Sequence, residues 1–85
     1  MKLKTLMESE QGYAMENIDE KKIYVYTYSM RDFDGIPDTH PIETVINYET
    51  GLFQQWAPTG YYAKYYDDYK GKDKAIEHVK RRLGL

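Results

Sequence analysis

Hydrophobic and polar residues change their spacing several times along the chain, and each change marks an expected element. Over residues 22–30 the run Ile23-Tyr-Val-Tyr-Thr-Tyr28 is almost entirely β-branched or aromatic, which suits a pleated, half-buried surface and predicts a strand. Alternation sets Tyr24, Tyr26, Tyr28 and Met30 on one face, with Ile23, Val25, Thr27 and Ser29 on the other. Residues 31–41 hold two prolines and a glycine, so neither helix nor central strand continues there. Residues 42–48 and 52–56 read as a hairpin joined through Glu49-Thr50-Gly51, where a glycine supplies the left-handed position of a short loop. Pro58-Thr59-Gly60 ends that run.

Residues 61–69 satisfy two periods at once. Tyr62, Tyr66 and Tyr69 fall at helical spacing, whereas Tyr61, Ala63 and Tyr65 alternate as a strand does. High aromatic content and the break at Gly71 favour a fourth strand. Residues 72–83 form the clearest helix: Ala75, Ile76, Val79 and Leu83 make one apolar stripe, cations fill the last turn, and Gly84 is the expected stop. At the other end, Thr5 and Glu8 have the spacing of a capping box. With Leu3, Leu6 and Met7 on one face and Gly12 as a stop, they predict a short N-terminal helix. The expected architecture is a single α+β domain over residues 1–85, built in two layers. An antiparallel sheet of three to four strands carries the C-terminal helix across one face.

Composition sharpens this picture in two respects. Ten of the 85 residues are tyrosine, so large rings stand in for scarce aliphatic side chains. There is no cysteine, which removes a disulfide framework and the usual structural zinc site. The basic, apolar start suggests a signal peptide only until Glu8, Glu10 and Gly12 interrupt it. No stretch approaches the roughly 20 apolar residues of a membrane span, and a soluble cytoplasmic protein is expected.

Motifs for catalysis are sparse. Asp32, Asp34, Asp38 and His40 sit in one loop, and Asp-x-Asp-Gly resembles the opening of a calcium loop. Gly35 comes one step too early, however, and Ile36 occupies a ligand position. Acidic turn residues capping their own backbone account for the pattern, so no metal is expected. Neither His40 nor His78 has a neighbour that marks it as a general base, and Glu77 and His78 point apart on a helix. Asp67 and Asp68 would face opposite sides of a strand. No phosphate-cradling glycine loop is present, and neither an enzyme nor a cofactor is expected.

Binding is the better reading. The net charge of −2 is unevenly spread, with −6 over residues 1–69 and +4 over residues 70–85. Lys70, Lys72, Lys74, Arg81 and Arg82 could follow a nucleic-acid backbone while rings stack on bases. The segment Tyr69-Lys-Gly-Lys-Asp-Lys-Ala75 resembles the strand-to-helix junction of the arm-binding domains of phage-type integrases, with Gly71 at the cap and Lys74 where an acid is usual. The run Gly35-Ile-Pro-Asp-Thr-His40, with Lys72, Lys74 and Ala75, is similar to double-stranded-RNA-binding domains, although Ile36 splits the glycine from Pro37. Each resemblance covers less than half the chain and rests on common residue types, and each implies a nucleic-acid-binding domain. Tyrosine is also a preferred residue for protein interfaces, giving large contact area at low entropic cost. Ten exceed what one sheet face can bury. Trp56, Tyr61, Tyr62, Tyr65, Tyr66, Asp67, Asp68 and Tyr69 are therefore the expected protein-binding surface, and nucleic acid is the alternative partner.

Overall fold

The computed structural model describes residues 3–27, 44–57 and 60–85, with backbone alone at 56, 57, 60 and 61. Six strands form one antiparallel sheet in chain order: β1 (Leu3–Ser9), β2 (Gly12–Asn17), β3 (Lys22–Thr27), β4 (Thr44–Asn47), β5 (Leu52–Ala57) and β6 (Gly60–Tyr65). A single 3-10 turn over Asp67–Tyr69 then leads into helix α1 (Lys72–Arg82). The expected α+β class is met, and β3 to β6 are the anticipated strands. The last of these ends at Tyr65 rather than running on to Tyr69. Among the described residues the sheet has two more strands than the upper expectation. Tyr28, Met30, the loop of Asp32, Asp34, Asp38 and His40, the start of the second hairpin at 42–43, and Pro58-Thr59 lie outside the described residues.

Both extra strands come from the segment expected to be a short helix. Residues 3–17 instead form the β1–β2 hairpin. The register pairs Lys4 with Glu16 and Met7 with Ala14, with an irregularity between Thr5 and Met7 where Leu6 is the additional residue. That bulge breaks the two-residue alternation and makes the spacing of Leu3, Leu6 and Met7 look helical. One helix of so few residues is marginal in isolation. In the hairpin, Leu6 and Met7 pack instead against the core. Gly12 does not stop a helix; it opens β2 where a Cβ would collide with the Tyr26 carbonyl.

The helix lies on the face formed by Ala14, Ile23, Val25, Ile46 and Phe53, meeting them with Ala75, Val79 and Leu83. Each large aliphatic side chain buried here contributes about 1.5–3 kcal/mol. Ala14 on the sheet and Ala75 on the helix are both fully buried in this layer. The Tyr24 and Tyr26 face is the opposite one. Tyr26 is nonetheless only 3% exposed, its ring 5.3 Å from that of Tyr13, its partner in the register. α1 starts beside Glu16, contacted by Lys72, and ends beside Gln11, which a side chain at Gly84 would strike. The helix therefore runs along β2 in the opposite direction. Its end is closed by Gly84 at φ 73°, with Leu85 N–H bonded to Lys80 O and Gly84 N–H to Arg81 O.

Turn chemistry holds the hairpins. Asn47 Oδ1 accepts from the amides of Glu49 (2.9 Å) and Thr50 (3.1 Å), and Gly51 takes φ 81° as expected. In the β2–β3 turn, Asn17 Oδ1 accepts from the Glu20 amide, and Lys21 is held at φ 59°. A lysine pays a steric penalty in that region which glycine does not. Lys21→Gly is expected to stabilise the fold by about 0.5 kcal/mol, raising Tm by a few degrees in a thermal melt. A lowered Tm would mean that the left-handed turn is not formed in solution.

Candidate functional site

The segment from Tyr62 to Tyr69 divides into exposed and packed tyrosines. The register sets Tyr62 opposite Gln55 and Lys64 opposite Phe53, on the face that carries α1. Tyr65 pairs with Leu52 on the other face. β6 lies beyond the cover of the helix, so residues 62–65 are all exposed; Tyr62 retains 42% of its surface and Tyr65 68%. Tyr66 and Tyr69 turn inward. The Tyr66 amide donates to Gly51 O at 2.9 Å, anchoring the end of β6, and its ring meets Phe53 edge-on at 5.7 Å.

Phe53 is the hub of this corner. Around it stand Tyr62 at 6.0 Å, Tyr66 at 5.7 Å, Tyr69 at 5.6 Å and His78 at 6.1 Å, centroid to centroid. The contacts to Tyr62, Tyr66 and His78 are edge-to-face and that to Tyr69 is tilted; aromatic pairs of this kind contribute about 0.5–1.5 kcal/mol each beyond area. The hydroxyls of Tyr62 and Tyr66 lie 2.8 Å apart, and the Lys64 ammonium is 5.4 Å from the centre of the Tyr66 ring. The hydrogen bond to Tyr66 pushes the Tyr62 hydroxyl above its ordinary pKa. Tyr69 sits 4.6 Å from the His78 ring, with its hydroxyl 3.3 Å from Nδ1. Burial holds the imidazole below its ordinary pKa, and the neighbouring Arg82 and Arg81 charges act in the same direction. Burial also raises the Tyr69 hydroxyl, against the pull of those arginines. A neutral ring and a protonated phenol therefore face each other at neutral pH.

Asp67 and Asp68 lie on the 3-10 turn, not on a strand, and both are exposed. Asp67 pairs with Lys70 at 3.4 Å. The corner thus presents Tyr62 and Tyr65 to solvent with two carboxylates alongside. Trp56 and Tyr61 face each other in the β5–β6 register; their side chains lie outside the described residues.

Of the five basic candidates, two are paired with carboxylates. Lys70 is engaged by Asp67, and Lys72 reaches Glu16 Oε2 at 3.0 Å from the helix face turned towards the sheet. Lys74 and Arg81 are exposed seven residues apart on one side of α1, but Glu77 stands between them at three and four residues. Arg82 is half-buried.

Glu16 belongs to a network absent from the expected site. It is fully buried, accepts from Tyr48 Oη at 2.7 Å, and receives Lys72 on the same oxygen. Burial works to raise its pKa. Hydrogen bonds from Tyr48 and Lys72, with the charges of Lys72 and Lys4, outweigh that and hold the carboxyl below its usual value. Tyr48 is pushed up to about 12 by burial and by the Glu16 carboxylate. The sequence did carry a signal: Gly12, Ala14 and Glu16 alternate, so the carboxylate lies on the apolar side of its strand. A carboxylate with no exposed surface cannot meet a substrate, and its work is to fasten α1 to β2.

Among the described residues no three His, Cys, Asp or Glu side chains are grouped to hold a metal ion, and no helix is long and apolar enough to cross a membrane. The chain matches no family model, no curated protein and no solved structure.

Proposed function

We propose that the chain is a non-enzymatic binding module that captures a protein partner through the tyrosine corner at β6. The observation that carries this reading is the exposure of Tyr62 and Tyr65 on the two faces of the last strand, beside exposed Asp67 and Asp68. Tyr66 and Tyr69 pack against the core on the helix-side face, where Phe53 joins them to Tyr62, so that side of the corner stands on a packed base rather than on a loop. Rigid aromatic anchors with a polar rim are the usual composition of an interface centre. The carboxylates favour a partner with a basic patch.

The double variant Tyr62→Ser with Tyr65→Ser is expected to lose capture of the partner from a lysate of the native host. Its Tm should fall by several degrees with the fold retained, because Tyr62 gives up one edge-to-face contact with Phe53 and an exposed hydroxyl bond to Tyr66, about 1 kcal/mol together. Full capture by that variant would sink the reading. The alternative, nucleic-acid binding by α1, would instead appear as oligonucleotide affinity that falls steeply with salt and disappears in Lys74→Glu with Arg81→Glu. The pairing of Lys70 and Lys72 with carboxylates weighs against it.

A further inference from the structure

The two ends of the sheet are finished differently. At one end β1 carries Lys4 and Glu8 and is interrupted between Thr5 and Met7. Charges and a bulge of this kind discourage another strand from adding to an edge. At the other end β6 reads Gly-Tyr-Tyr-Ala-Lys-Tyr, with no proline, no bulge and one charge. Among the described residues nothing pairs with its outer side. Such an edge is a template for a further strand.

The β5–β6 ladder shows which groups this edge offers. The Tyr66 amide bonds to Gly51 O, so the even positions of β6 turn their backbone groups towards β5. Alternation then directs the N–H and C=O of Tyr61, Ala63 and Tyr65 outward.

We infer that this edge takes β6 of a second copy of the chain, antiparallel, about a twofold axis at Ala63. It rests on the reading of this corner as an interaction surface, and it names the occupant. Antiparallel pairing keeps facing residues on one side of the sheet, so only registers centred on a residue are allowed. Centring on Lys64 would set two ammonium groups opposite each other, which is destabilising. Centring on Ala63 places the smallest side chain of the exposed stretch on the axis. It sets Tyr62 opposite Lys64 of the second copy, and Lys64 opposite Tyr62, so each cation meets a ring. Tyr61 then faces Tyr65 of the second copy, and the outward backbone groups of Tyr61, Ala63 and Tyr65 are all satisfied. The strand is complementary to its own reverse.

Sedimentation equilibrium on the purified chain is expected to show the 10.1 kDa monomer doubling in mass as concentration rises through the micromolar range. Backbone hydrogen exchange supplies the register. The amides of Tyr61, Ala63 and Tyr65 should gain protection of tenfold or more with concentration, while those of Tyr62 and Lys64 stay equally protected throughout. Ala63→Pro removes an N–H that the β5–β6 ladder does not use, and prolines are tolerated on an edge in that setting. That variant should remain folded and monomeric. Should it fail to fold, Ala63→Lys sets two cations on the axis and should lower dimer affinity at least tenfold.

A chain that stays monomeric at the highest concentrations overturns the inference, and so does a dimer unaffected by Ala63→Lys. In the monomeric case, partner capture that still depends on Tyr62 and Tyr65 would leave the interaction surface standing without self-pairing. Loss of both would remove the two together.

Discussion

Tyr48→Phe is expected to destabilise the folded state by about 2 kcal/mol at neutral pH and to erase a step in its alkaline unfolding. The substitution removes one oxygen and leaves the packing of the ring in place. It takes from Glu16 a 2.7 Å donor, in a position where the carboxylate has no access to water. Hydrogen bonds to buried charged groups contribute about 1.5–3 kcal/mol, because the partner left behind keeps its desolvation cost. Lys72 remains, but it is itself substantially exposed and bonds the same oxygen, so it compensates only in part.

The pH dependence has two arms. Tyr48 has a folded pKa raised from 10.0 to about 12, so its contribution is complete below pH 10 and is lost as pH rises towards 12. Glu16 has a folded pKa below its ordinary value of 4.5. Its contribution is therefore present above that value and is lost as pH falls through the folded pKa. Chemical denaturation between neutral pH and pH 12 should show the alkaline loss in the parent, on the order of 2–3 kcal/mol, and not in Tyr48→Phe. On the acid side, the variant should begin to lose stability at higher pH than the parent, since Glu16 has lost a group that lowers its pKa. A variant as stable as the parent at pH 7 would show that the Glu16 network does not fasten the helix.

Phe53→Ala is expected to cost about 3–5 kcal/mol, enough to unfold much of a small domain at physiological temperature. Phe53 touches four rings, and Tyr66 and Tyr69 are held in place by it. Its removal leaves a void beneath the corner that His78 and the tyrosines cannot fill without abandoning their hydrogen bonds. The comparison with Tyr62→Ser is the informative one. Both positions lie on the helix-side face, yet Tyr62 is at the edge and gives up one ring contact and one exposed hydroxyl bond, about 1 kcal/mol. Urea unfolding of the two variants separates the base of the corner from its presented surface. Equal losses would mean that Tyr62 belongs to the core.

How far the sequence foretold this arrangement differs from one element to the next. α1 was legible because Ala75, Val79 and Leu83 hold the helical period and Gly84 closes it. β3 to β5 were legible from aromatic and β-branched runs divided by Gly51 and its neighbours. The N-terminal hairpin was not, because the added residue at Leu6 imposes a false helical spacing on β1. The face of β3 that α1 covers was also hidden. Both faces of that strand are apolar, and only the pairing of Ala14 with Val25 shows which side leaves room for a helix. Within the site, the concentration of tyrosines at residues 61–69 was plain from composition. Their division was not: Tyr66 is drawn inward by the bond of its amide to Gly51, a contact made through the backbone. The basic candidates were found by residue type, but Lys72 is spoken for by Glu16, and nothing local in the chain joins those two residues.

The simple strand order has a consequence for biosynthesis. Every described strand pairs with its neighbour in the chain, so the sheet can grow progressively as the polypeptide leaves the ribosome. The helix that shields its apolar side is translated after all six strands. Until then Ile23, Val25, Ile46 and Phe53 lack the cover that Ala75, Val79 and Leu83 give them. Lys72, at the first turn of α1, meets Glu16 on β2, so the salt bridge that tethers the helix spans the whole interval between the second strand and the element that covers it.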